Sequence, residues 1–361
     1  MLKLRVSDVV SQDPGDVPVV RIYRWDLDKT YLKTEFDSIK DLIRTALQKP
    51  EDKINVPGAV ALLKEVKRPR PESRSMVTFI SGSPTQMRSI LEKKFELDGI
   101  QPDAFILKPT LENILKGRLK AVRGQVGYKL EALLRVRSDA ALSVPETLFG
   151  DDAEQDAFIY SVYADLVSGN IGLDVLRDVL VEAEVYATTM EKIMRYAAHL
   201  QPDDAEVDRI FINLDRRSPP GRFLTFGPRI VPIVNYFQAA LVLWADETFT
   251  LDNLVHVAGG MLSRDDYGIQ ELANSFQDLL RRRVLTSAHL DRLEAEVEVY
   301  EEPDIIPSGF VKRLMTRVRA LAPRSEIKER EWVGPPDYIE ILRADRALKA
   351  AVTQKSAGLF G

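Results

Sequence analysis

Short apolar runs that alternate with segments of helical periodicity restrict this chain more than any other feature. The first runs from Val19 into Trp25, and the others are Met76–Ile80, Asp103–Leu107 and Val144–Phe149. Val20, Ile22 and their neighbours have the β-branched and aromatic bias of strands. Strands alternating with helices predict an α/β fold: a parallel sheet with helices on both faces, and ligands beyond the carboxyl ends of the strands. Asp26, Asp28, Ser81 and Asp151 all fall at such ends. A further run, Asp208–Asp215, predicts the last strand, separated from the others by a helical insertion at about 170–203. Beyond Gly221 the pattern is helical, with elements at Val231–Trp244, Leu251–Leu262, Gly268–Leu285, Ser287–Val299 and Ser308–Leu321. Gly334-Pro335-Pro336 then leads to a last helix. The 361 residues divide into a polar leader (1–17), an α/β domain (18–216), a helical domain (217–333) and a C-terminal helix with its tail (334–361).

Composition narrows the function classes. Fifty Lys and Arg against 55 Asp and Glu give a net charge of −5, so no bulk basic field predicts nucleic acid as a partner. The absence of cysteine excludes disulfides, thiolate nucleophiles and thiolate-bound metals, and fits a reducing compartment. Met1–Val6 lacks an apolar stretch of signal-peptide length, and cytoplasm is the expected location. The best candidate for a membrane span, Ile230–Ala245, is interrupted by Pro232, Asn235 and Gln238. It is shorter than the roughly 18 to 20 apolar residues a span needs and predicts a buried helix.

The candidate chemistry lies at the strand ends. Asp26 and Asp28, two apart in an extended segment, project the same way. Neighbouring carboxylates resist ionising together unless a cation or proton compensates. In Ser81-Gly82-Ser83-Pro84, Ser83 is placed as a helix N-cap and Pro84 as the first helical residue. Gly150-Asp151-Asp152, with Asp156, supplies further carboxylates, and Lys129 is placed at a helix start. Lys116, Lys120 and Arg123 share a helical spacing, with Arg118 nearby. They could attract an anionic substrate or a membrane headgroup, although a solvated helix face is the simpler explanation.

Taken in order, Asp26-Leu27-Asp28-Lys29-Thr30, Ser81 after an apolar strand, Lys129, and Gly150-Asp151-Asp152 with Asp156 resemble the four motifs of the haloacid-dehalogenase-like (HAD) phosphohydrolases. Ile80–Pro84, Phe105–Lys108, Tyr128-Lys129-Leu130 and Phe149-Gly150-Asp151 with Ile159-Tyr160 are similar to the phosphatidate phosphatases of the actin-patch type. The resemblance covers about residues 18–216 and implies a HAD-like Rossmannoid sheet. It implies that Asp26 is a nucleophile forming an aspartyl phosphate, with Asp28 as general acid and base. Ser81 and the Gly82 amide would bind phosphoryl oxygens, Lys129 would supply a fixed positive charge, and Thr30 would support the turn after the nucleophile. Mg2+ would be held by Asp26, the Asp28 carbonyl and Asp151, with Asp152 and Asp156 as alternative partners for metal-bound water or for Lys129.

The implied activity is that of a magnesium-dependent phosphomonoesterase acting on a phosphorylated small molecule or a lipid phosphate such as phosphatidate, with peripheral membrane contact. Short intervals between the motifs leave little room for a large cap, so an open site admitting bulky substrates is expected. The helical insertion and the long helical half depart from the actin-patch pattern. They keep open an alternative, a catalytically weak HAD-derived binding or scaffolding protein that uses its C-terminal half.

Overall fold

The structure is a computed structural model that describes residues 17–33, 51, 53–108, 118–140, 143–200, 206–320 and 334–358. Most of the 1–17 leader, the helical pattern at 38–48 and Lys116 lie outside the described residues. Six parallel strands form one sheet: β1 (Val19–Trp25), β2 (Arg74–Pro84), β3 (Ala104–Lys108), β4 (Glu146–Asp151), β5 (Val207–Asn213) and β6 (Ile230–Ile233). Their spatial order is β3-β2-β1-β4-β5-β6. The order reverses direction between β1 and β4, and a doubly wound sheet opens its ligand crevice beyond the carboxyl ends of the strands at such a point.

Strand residues of opposite parity enter different cores, because successive side chains leave a strand on opposite faces. Trp25, Phe79, Phe105, Phe149, Phe211 and Val231 share one face. Covering it are α1 (Ala59–Val66), α2 (Arg88–Asp98) and the later helices α7 (Tyr236–Ala245), α8 (Leu251–Arg264), α9 (Ile269–Arg281), α10 (Ser287–Glu298) and α11 (Phe310–Ala320). Ile80, Ile106, Leu148, Ile210 and Ile212 point the other way. That face is covered by α3 (Arg118–Ala140), α4 (Asp156–Val167), the pair α5 (Leu173–Glu182) and α6 (Ala187–Ala197), and the start of α12 (Tyr338–Gly358). Tyr338 of α12 donates to the buried Asp165 carboxylate, which also pairs with Arg229.

The first face carries an aromatic row immediately beneath the strand ends. Trp25 stacks on Phe149 at a centroid separation of 4.0 Å, and Phe149 stacks on Phe211 at 5.0 Å. Tyr236 closes over Trp25 at 5.0 Å. Rings in these geometries contribute about 0.5–1.5 kcal/mol per pair beyond their burial, which stiffens the strand ends that follow.

Two local expectations are corrected. The helix expected over Val231–Trp244 divides into β6 and α7, and the sheet therefore extends past residue 216. Pro232 lacks an N–H and is tolerated because β6 is an edge strand. Asn235 is the N-cap of α7, its side chain accepting from the Gln238 amide at 3.2 Å. Lys129 lies well inside α3, not at a helix start. Gly127, inside the same helix, is a packing site: an added Cβ would come within 2.9 Å of Val185.

Candidate active site

The loop after β1 is built to turn sharply. The Asp26 amide continues the ladder by donating to the Phe149 carbonyl at 2.9 Å, and the Tyr31 and Leu32 amides both return to the Leu27 carbonyl. Lys29 sits at φ 60°, a conformation unusual for a side-chain-bearing residue. Its carbonyl accepts from Asn213 Nδ2 at 2.6 Å, and the neighbouring Thr30 carbonyl accepts from the Tyr236 hydroxyl at 2.7 Å. The end of strand β5 and helix α7 thereby each hold the turn by one hydrogen bond. Thr30 Oγ1 donates to Asp26 Oδ2 at 3.4 Å.

The crevice between β1 and β4 gathers four carboxylates. Ligand oxygens of Asp26, Asp151, Glu154 and Asp156 lie within 4.8 Å of one another. Lys129 Nζ enters this group from α3, 3.1 Å from Asp26 Oδ1, 2.7 Å from Glu154 Oε2 and 2.5 Å from Asp156 Oδ1. Asp26, Lys129, Asp151 and Asp156 are all buried. Asp151 Oδ1 accepts from the Ala153 and Glu154 amides at 2.5 and 2.9 Å, which turns the chain after β4. Asp156 Oδ2 accepts from the Asp151 amide at 3.2 Å. Gly150 permits this approach, since a Cβ there would fall 2.5 Å from the Asp156 carboxylate.

One ammonium does not neutralise four carboxylates, and the titrations reflect that imbalance. Burial drives the Asp26 carboxyl well above the ordinary range. Lys129 opposes this, whereas Asp156, Glu154 and Asp151 add to it. Asp151 is raised for the same reasons, and burial pushes Asp156 up to about 6 despite Lys129. Burial would depress the Lys129 ammonium, but Asp156, Asp26 and Glu154 outweigh it and hold the group charged.

A hard cation fits this donor set. Asp151 Oδ2 is a buried acceptor with no hydrogen-bond partner, and leaving such an atom desolvated costs about 1–3 kcal/mol unless something arrives to pair with it. Oxygen donors in excess negative charge suit Mg2+ or a similar divalent ion.

Asp28 occupies a separate position at the edge of the group. Its Oδ2 accepts from Ser83 Oγ at 2.7 Å and from Ser81 Oγ at 3.3 Å, while the Ser83 amide donates to Ser81 Oγ at 2.9 Å. Burial raises its pKa, against the two serine hydroxyls. Strand β2 continues through Pro84, and a 3-10 turn, Thr85–Met87, precedes α2 at Arg88. Ser83 is therefore a partner of Asp28 and not the expected helix cap. In front of Gly82 lies open space, where a Cβ would meet nothing within 4 Å.

The expected residues thus converge, with one exception and one addition. Asp152 turns away from the crevice: its carboxylate accepts from the Arg216 and Ser218 amides at 2.8 and 2.9 Å and ties the β4 and β5 ends together. Successive residues of an extended chain face opposite ways, so Asp151 and Asp152 could not both enter. Glu154 enters instead, and its signal was the acidic density of 151–156. The histidines serve local structure: His199 and His256 bond helix carbonyls, and His289 bonds Thr286.

Together, the doubly wound sheet and a carboxylate group able to hold a metal at its switch point define an α/β enzyme site with a buried lysine beside the candidate nucleophile. Residues 25–178 match the family described as phosphatidate phosphatase APP1, catalytic domain. The matched family is a phosphatase, and the chain is an enzyme of that class, a phosphoric monoester hydrolase. Asp26, Asp28, Ser81, Lys129, Asp151, Glu154 and Asp156 fall inside the matched segment, whereas Asn213 and Tyr236 fall outside it. No curated protein and no solved structure matches the chain. Among the described residues no helix is long and apolar enough to cross a membrane.

Proposed function

We propose that this chain is a metal-dependent phosphohydrolase of the HAD type that cleaves a phosphate monoester, with a lipid phosphate such as phosphatidate as the substrate class. The observation that carries this reading is the position of Asp26. It is a buried carboxylate at the switch point, flanked by Lys129 at 3.1 Å on one oxygen and by Thr30 at 3.4 Å on the other. The family match over 25–178 supports the lipid phosphate.

In the first step an Asp26 oxygen attacks phosphorus and the ester P–O bond breaks. The leaving oxygen takes its proton from the Asp28 carboxyl. Burial raises the pKa of Asp28, which favours the protonated form that this step needs. In the second step water attacks the phosphorus of the aspartyl phosphate and gives a proton to the Asp28 carboxylate. The P–O bond to Asp26 breaks, inorganic phosphate leaves and Asp26 is restored. Ser81 and Ser83 orient Asp28, and an incoming phosphoryl oxygen would compete for the Ser81 donor. Lys129 holds Asp26 in place and places positive charge beside the transferring group. Asp26, Asp151 and the Asp28 carbonyl would hold Mg2+, with Glu154 and Asp156 behind them. The ion would supply charge neutralisation for the phosphoryl oxygens.

The test is release of inorganic phosphate from an aryl phosphate and from a panel of phospholipid and metabolite monoesters in the presence of magnesium. Wild-type turnover that survives Asp26→Asn undiminished would remove Asp26 from the mechanism. Turnover on soluble monoesters with none on phosphatidate vesicles would remove the lipid.

A further inference from the structure

Lys108 stands beside the site and has no part in the proposed reaction. Lys108 ends β3 and pairs in register with Pro84 at the end of β2, beside the serines that hold Asp28. Its ammonium lies 5.7 Å from the centroid of the Tyr128 ring, and the Tyr128 hydroxyl donates to the Ser81 carbonyl at 2.9 Å. Lys108, Tyr128 and Ser81 therefore make one continuous wall. Gly82, with open space before it, belongs to the same wall. Tyr128 precedes Lys129 in α3, so the wall is fastened to the helix that delivers the buried lysine.

Among the described residues Lys108 makes no ion pair with any carboxylate. The buried lysine of the reacting group differs: Lys129 pairs with Asp26, Glu154 and Asp156. Lys108 is half-buried, and burial lowers its pKa, with Glu154 the carboxylate that opposes the shift. A partly desolvated ammonium over an aromatic ring gains about 0.5–2 kcal/mol from that ring, and the ring leaves its other N–H donors to be satisfied. A phosphate oxygen arriving there would take up a donor that no carboxylate among the described residues pairs with.

We propose that Lys108 is a substrate-binding residue, donating to a non-bridging oxygen of the phosphate group as the ester enters past Gly82. This rests on the phosphohydrolase reading but is tested apart from it. A residue that binds the phosphate in the ground state and the transition state alike sets affinity and not the rate of the chemical step.

The binding arm uses Asp26→Asn protein with magnesium chloride, titrated calorimetrically with inorganic phosphate. Adding Lys108→Met weakens phosphate binding by about tenfold or more, the scale of one charge-assisted hydrogen bond, and Lys108→Arg recovers most of it. In the kinetic arm, Lys108→Met in otherwise wild-type protein raises KM for an aryl phosphate by a similar factor, with a much smaller change in kcat. A third arm needs no substitution: phosphate slows reductive methylation of Lys108 in the native protein, followed by mass spectrometry. Unchanged phosphate affinity in a Lys108→Met protein with unaltered thermal unfolding overturns the proposal, as does a fall in kcat alone. Should Lys108→Met unfold, absence of phosphate protection in the native protein overturns it equally. If no monoester is hydrolysed at all, the phosphohydrolase reading fails, while the titration and the protection experiment still decide Lys108.

Discussion

Two buried charge groups occupy the same pair of strands and behave in opposite ways. In the body of the sheet, Glu146 of β4 is met by Arg24 of β1 at 2.5 and 3.0 Å, by Arg137 of α3 at 2.5 Å and by the Tyr163 hydroxyl at 3.0 Å. Burial would raise the Glu146 pKa, but the two arginines outweigh it and the carboxyl is held below its ordinary value. At the carboxyl ends of these strands, Asp26 and Asp151 are as deeply buried and are raised well above theirs. Depth is thus not what separates them. In the sheet interior two guanidinium groups surround one carboxylate, whereas at the crevice one ammonium faces four. That imbalance points to a ligand, whereas the Arg24–Glu146–Arg137 network points to architecture.

The sharpest way to break the comparison is to remove one carboxylate from each group. Asp151→Asn keeps the acceptor for the Ala153 and Glu154 amides and replaces the unpartnered oxygen with a donor. Phosphate release should fall on the order of a thousandfold, as for other losses of a group that stabilises transition-state charge. Metal-free thermal unfolding should nevertheless rise or stay level, since repulsion is relieved. A lower melting temperature together with full activity would contradict both halves. Glu146→Gln should do the reverse. It leaves two buried guanidinium groups short of a counter-ion and should destabilise the protein by about 3–5 kcal/mol in chemical denaturation.

The pH dependence should also separate the two groups. Asp156 has its pKa raised from 3.8 to about 6, and Asp26 and Asp151 are raised as well. A raised folded pKa contributes stability that is fully present below the unfolded value and is lost as pH rises through the folded value. The cluster should therefore cost the metal-free protein stability between about pH 4 and pH 7, a loss that Asp151→Asn reduces. The depressed Glu146 has the opposite sign, its contribution present above its unfolded value and lost as pH falls through its folded value. Magnesium competes with protons for the same oxygens, so it should raise the melting temperature more at pH 7 than at pH 5. Equal shifts at the two values would argue against the cluster as the metal site.

The smallest predicted effect links the crevice to the C-terminal helices. Tyr236→Phe keeps the stacking on Trp25 but strands the buried Thr30 carbonyl, which should cost about 1–3 kcal/mol. A fall in kcat larger than that in the matched variant Tyr163→Phe, which touches only the Glu146 network, would show that α7 supports the turn after Asp26.

Much of this was legible without coordinates. The extended pattern through Trp25 placed Asp26 and Asp28 at a strand end, and the apolar run through Phe149 did the same for Asp151. What failed was local. Lys129 was placed at a helix start, whereas α3 begins at Arg118 and runs through Gly127, a glycine that the approach of Val185 explains. Pro232 looked like a flaw in a helix, and its place on an edge strand depends on which strand lies beside it. Glu154 was passed over in favour of Asp152, since adjacent acidic residues carry no sign of which one faces the crevice.

By itself the sequence determined the alternation of strand and helix and the two faces of each strand, because both follow from the spacing of apolar residues along the chain. It also determined which residue types stand at the strand ends. The tertiary structure alone decided that β1 and β4 are neighbours, that Lys129 reaches Asp26 from the interior of a long helix, and that a tyrosine more than two hundred residues away supports the Asp26 turn through Thr30. The physical reason is that these contacts join segments far apart in sequence. Strand order and helix docking fix them, and no local pattern encodes either.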